Sequence, residues 1–293
     1  MASRWSLRRA RVVLGGKLAL VGWLVVFVAL AWLAEKIVGL DQPLTFHPTL
    51  ALVLAGVPAG LWLAFFYVYD RHEPEPKHYV AGVFTLGALV AGPLADFVVF
   101  QTSPPVPLAQ LGLRPFSLDR VVHAVLVVGL VQEMCKYVVV RYTIYMSSEF
   151  DEPMDGVVYM TAVGTGFAMW TNYHRLSDLG HSVLLSTGAA LAVVTTLAHA
   201  SFAGALGYVL GRVKFSRRGA PVRGLMLFFG LMGAAALNGQ FALVESWVTQ
   251  TGMEQAPWRG VAYAAAVALA MFALLLLLSN RLLDESPYRR RDA

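Results

Sequence analysis

The chain has 293 residues, of which 57% are hydrophobic and 14% charged. A soluble protein of this length could not hide that much apolar surface, which excludes a water-soluble globular fold and predicts an all-α integral membrane protein. The formal net charge of +5 does not mark a nucleic-acid partner, because the cations sit in loops beside hydrophobic stretches.

Eight stretches are long enough to cross a bilayer as helices: 12–33, 48–69, 79–101, 120–145, 154–172, 182–211, 222–248 and 260–283. They are too long and too continuous for barrel strands of about ten residues. The first follows Arg4, Arg8, Arg9 and Arg11. That start resembles a signal peptide, but no small-residue cleavage site follows cleanly, so 12–33 reads as a retained anchor helix. The second is followed by a slightly acidic loop over 70–78. After the third, Thr102, Ser103, Pro104, Pro105, Val106 and Pro107 make a stiff, extended connector.

The fourth stretch carries Gln132, Glu133 and Lys136. Glu133 and Lys136 are three apart and Gln132 and Lys136 four apart, so all three line one side of a helix and the two charges can neutralise each other. The fifth opens on Glu152, Pro153, Met154 and Asp155, which suits a helix N-terminus, where free amides and the dipole favour anions. It ends on Thr171 and Asn172. The sixth holds His199, followed by Gly204, Gly207 and Gly211 on a close-packing face. The seventh holds Asn238 and, seven residues later, Glu245. Ionisable groups and amides at lipid depth are costly, and mark either helix–helix hydrogen bonds or a site shared by several helices. The lone cysteine, Cys135, excludes an intrachain disulfide and a cysteine-rich zinc site.

Arginines and lysines crowd the N-terminus, the connection after the sixth stretch and the C-terminal tail. With eight spans all three lie on one side, so both termini are expected in the cytoplasm of a multi-pass cell-membrane protein. The chain reads as one transmembrane domain over 1–293, with a basic cytoplasmic tail over 284–293 placed for anionic lipid headgroups.

Together these segments resemble the PrsW family of intramembrane metalloproteases, over a core of 69–241. The matching pieces are Asp70 with Glu73-Pro74-Glu75-Pro76, then Glu133 with Lys136, then Glu152 through Tyr159. Gly164 through Ala168 with Asn172, and His199 with Gly207 and Gly211, complete them. The resemblance implies a polytopic protease related to the CAAX prenyl endopeptidase type, cutting or binding single-span membrane proteins such as anti-sigma factors. It implies zinc, with Glu133 and His199 as ligands and Gln132, Glu133 and Lys136 at the catalytic positions. Asp155, Thr171, Asn172 and Asn238 fall at substrate-binding or structural positions.

The departures are specific. The family pattern has two adjacent glutamates where Gln132 and Glu133 stand, an acidic residue where Thr171 stands, a histidine where Asn238 stands and an asparagine where Ala242 stands. A glutamine side chain is not a base near neutral pH, and a hydrolytic zinc needs about three protein ligands and a water. The ligand set for zinc is therefore incomplete, unless another carboxylate such as Glu245 joins it. Three readings stand: a family member with impaired or lost peptidase activity, an active zinc-dependent protease, and an ion- or proton-coupled transporter. The absence of a visible internal repeat counts against the last.

Overall fold

A computed structural model describes residues 2–40, 42–69, 75–102, 116–178, 183–251, 254–255 and 257–285. Within them the chain forms eight helices: α1 (Ala2–Val38), α2 (Pro48–Tyr69), α3 (Lys77–Thr102), α4 (Leu118–Thr143), α5 (Pro153–Ser177), α6 (Leu185–Lys214), α7 (Ala220–Thr249) and α8 (Pro257–Glu285). Gln250 and Thr251 pair antiparallel with Gln255 and Glu254 in the turn between α7 and α8. Asp70, Glu73, Pro74, the connector 103–107 and the tail 286–293 lie outside the described residues. Each of the eight expected stretches overlaps one of these helices, and the protein is an all-α, multi-pass membrane protein.

Seven of the helices are long and apolar enough to cross a membrane; α5 is not among them. The reason is its position. From Met154 to Ala168 every residue of α5 is buried, so its neighbours, not lipid, surround it. A helix shielded in this way can carry Asp155, Thr161, Thr165 and Asn172 without exposing them to hydrocarbon.

Small residues let the other helices reach α5. A Cβ on Gly164 would strike the His199 carbonyl and Ala203 of α6; one on Gly166 would strike the Phe84 carbonyl of α3. Where backbones approach this closely, packing rather than the hydrophobic effect holds helices together in a membrane. Helix α1 sits at the edge. It is tied by Glu35, whose Oε2 accepts the Ser186 backbone N–H at 3.0 Å and hydroxyl at 2.7 Å at the start of α6. Leu44 and Val183 exchange backbone hydrogen bonds at the same end.

Two helices contain a wide π turn, Gly87–Ala91 in α3 and Ala124–Gly129 in α4. Such a turn rotates the face of everything that follows it. In α4 it ends two residues before Val131, and its two ends press on α7: Ala124 against Gly239, and Gly129 against Ala235. That contact sets which side of α4 meets α7.

Candidate functional site

The contact between α4 and α7 brings four of the polar residues together. Glu133 Oε1 accepts from Lys136 Nζ at 2.5 Å and from Asn238 Nδ2 at 2.8 Å. The same Asn238 nitrogen donates to Gln132 Oε1 at 3.0 Å. Glu133, Lys136 and Asn238 are fully buried. The i,i+3 spacing places Lys136 on Glu133, as expected from one helix. The α4–α7 packing adds Asn238, which sequence alone left as a generic helix–helix hydrogen bond.

His199 stands next to this group without bonding to it. Its ring lies among Phe167, Phe202 and Phe241, with centroids 5.3, 6.3 and 6.4 Å away. Phe167 links the two parts, since Lys136 Nζ lies 4.5 Å from the centre of the same ring. His199 Nδ1, Glu133 Oε2 and Asn238 Oδ1 are buried with no hydrogen-bond partner among the described residues. Polar atoms left in that state are expensive, and they cluster at sites that take a ligand.

The donor set does not fit a hydrolytic zinc. Among the described residues no three His, Cys, Asp or Glu side chains come together as a metal-holding group. Glu133 and His199 supply one carboxylate and one imidazole, and Asn238 only a neutral amide. The Lys136 ammonium on Glu133 already neutralises that carboxylate and would repel a dication.

The other site residues are placed elsewhere. Asn172 Nδ2 donates to the Ala192 carbonyl at 3.2 Å and Thr196 Oγ1 at 3.1 Å, and its Oδ1 accepts from Thr195 Oγ1 at 2.6 Å. These bonds join α5 to α6 one turn before His199. Helix α5 runs on to Ser177, beyond the expected end at 172. Thr171 Oγ1 is turned back onto the Phe167 carbonyl of its own helix at 3.2 Å. Ala242 is half-buried on α7 and has no polar group to offer. Glu245 is held by Arg175, with contacts of 2.7 and 3.3 Å. Arg175 had no signal in the sequence beyond its place near a helix end.

Asp155 caps α5. Its Oδ2 accepts the backbone N–H groups of Asp151 at 2.7 Å and Glu152 at 2.8 Å, in a reciprocal capping box with the Glu152 side chain. Tyr159, one turn on, donates its hydroxyl to Glu75 from the segment before α3. Burial pushes the Glu75 carboxyl above its ordinary value; hydrogen bonds with Asp155 and Tyr159 oppose the rise, and the charges of Asp151 and Glu149 add to it. A carboxyl raised on folding stabilises most fully below its ordinary pKa, and that contribution is lost as pH rises through the raised value. Stability is therefore expected to fall with pH above the ordinary glutamate range. Glu75→Gln, which keeps an acceptor for Tyr159, is expected to flatten this slope. Melting temperature against pH for both proteins measures it; parallel curves would rule the contact out as the source.

Comparison with known proteins gives one consistent family. The model of the "PrsW family intramembrane metalloprotease" matches residues 75–277, a region that reaches into α8. The protein named Protease PrsW of Geobacillus kaustophilus is 33% identical over 167 residues, 57% of this chain and 68% of that protein. That of Bacillus subtilis is 29% identical over 203 residues, 68% of this chain and 86% of the relative. That of Oceanobacillus iheyensis is 30% identical over 167 residues, 56% and 70% respectively. No solved structure matches the chain.

Proposed function

The chain belongs to the PrsW family of intramembrane metalloproteases, and from that premise we propose that it receives a membrane-spanning segment of a client protein with its peptidase activity impaired. The observation that carries this reading is the state of Glu133. One oxygen is committed to Lys136 and Asn238, and the neighbouring base position is filled by the amide of Gln132. An amide cannot take a proton from an attacking water, and losing a general base typically costs about 10²–10⁴-fold in rate. Glu133 Oε2 and Asn238 Oδ1 are buried acceptors without donors, and backbone N–H groups of a client helix reach them once α4 and α7 part.

The further assignments belong to the same proposal. The whole of 1–293 acts as one transmembrane domain, with both termini in the cytoplasm and the basic tail at 284–293 on the inner leaflet. Clients are single-span membrane proteins, of which anti-sigma factors are the kind the family suggests. Gln132, Glu133, Lys136 and Asn238 form the buried polar centre of the proposed site, with His199 beside it.

A second reading, an active zinc-dependent protease, is favoured by the similarity to proteins named as proteases and by the presence of both Glu133 and His199. Zinc content separates the two. Detergent-purified wild type and His199→Ala are expected to contain well under one zinc per chain by elemental analysis. One zinc per wild-type chain, lost in the variant and accompanied by chelator-sensitive cleavage of a single-span substrate, would sink the impaired reading.

A further inference from the structure

Helix α7 has two opposite faces. Leu231, Ala234, Asn238, Phe241 and Glu245 are buried and turn toward α4, α6 and α8. At 3.6 residues per turn, the opposite side carries Phe229, Gly233, Leu237, Gln240 and Trp247, all exposed. An apolar side chain suits a face turned to lipid; the amide of Gln240 does not. It makes no hydrogen bond among the described residues. Trp247 and Trp258, both exposed at this end of the bundle, mark the membrane–water boundary. Gln240 lies about 10 Å deeper than Trp247 along the helix axis, and about 25 Å from Arg223 in the first turn of α7. At that depth no water serves the amide, and leaving it unpaired is costly.

Depth and chemistry together indicate the partner. A primary amide is self-complementary, since its N–H groups donate and its carbonyl oxygen accepts. A second copy of this chain crosses the membrane in the same direction, so a two-fold axis along the membrane normal sets α7 beside its own copy and Gln240 at one depth on both. Two turns before Gln240, a Cβ at Gly233 would meet nothing within 4 Å, which leaves room there for another helix to approach. We propose that the α7 face around Gln240 is the contact between two copies of this chain, paired amide to amide across that axis. Hydrogen bonds of this kind hold helices together in lipid. The contact is on the side of α7 away from the Glu133 group and does not depend on the peptidase reading.

The test is single-molecule photobleaching of the full-length protein, with one fluorophore per chain, in vesicles of phosphatidylcholine and phosphatidylglycerol over a range of protein-to-lipid ratios. The wild type is expected to pass from one-step to two-step bleaching as the ratio rises. Gln240→Leu keeps a similar volume without the amide and is expected to weaken dimerisation by about tenfold. Gln240→Asn keeps an amide on the same face and is expected to retain most of the affinity. Leu269→Ala alters an exposed residue of α8 and is expected to change nothing. The melting temperature of Gln240→Leu in dilute detergent is expected to match that of the wild type, which separates loss of the dimer from loss of the fold. One-step bleaching of the wild type at every ratio would overturn the proposal and leave the face to lipid or to a different membrane protein. Equal dimerisation of wild type and Gln240→Leu would put the contact on another face and overturn it as well.

Discussion

Lys136→Met is expected to destabilise the protein by about 3–5 kcal/mol, because it strands a buried carboxylate. Lys136 and Glu133 are both fully buried and 2.5 Å apart. In that setting the attraction between them offsets a large desolvation cost, and taking one partner away leaves the other's cost uncompensated. Asn238 still donates to Glu133, but one neutral amide does not replace a charge. The Lys136 contact with the Phe167 ring is lost as well. The double variant Glu133→Gln with Lys136→Met removes both charges together and is expected to recover most of the loss. Thermal melting in one detergent, for wild type, single and double variants, measures the cycle. A single variant as stable as wild type would mean that the pair is hydrated in the membrane-embedded protein.

The second large effect is a change of sign between two identical substitutions. Gly211→Ala is expected to cost about 3 kcal/mol, near the upper end for overpacking. Its new Cβ would strike the Pro153 carbonyl at the start of α5, and a backbone cannot move aside as a flexible side chain can. Relief would require α5 and α6 to separate along the seam where Gly156 and Gly207 also touch. Gly233→Ala in α7 meets nothing within 4 Å. It is expected to stabilise by up to about 1 kcal/mol, because alanine is the better helix former. Melting temperatures of the two variants decide it, and two shifts of the same sign would contradict the α5–α6 contact.

Much of the Glu133 group was legible in the sequence, and the limit of that reading has a physical cause. Glu133 and Lys136 share a helix face by their spacing, so their pairing needs only local geometry. Asn238 reaches Gln132 and Glu133 from a hundred residues away only because the wide turn in α4 and the close approach at Gly239 set the rotation of α4 against α7. Asn172 was expected at a substrate-binding or structural position, and its amide bonds to Thr195, Thr196 and a carbonyl of α6. Its amide type is the same in either role, and only the neighbour decides between them.

The sequence by itself determined that the chain is a polytopic helical bundle, because a bilayer accepts only segments that satisfy their own backbone over its thickness. It also determined the family, since that is a matter of residue type and order. Tertiary structure alone decided which helix is central, that Glu245 pairs with Arg175, that Tyr159 meets Glu75, and that Arg141 and Lys214 meet at one tyrosine. Each of these depends on how one helix is turned toward another. That angle comes from the packing of small residues on both partners, and the order of residues along either helix does not contain it.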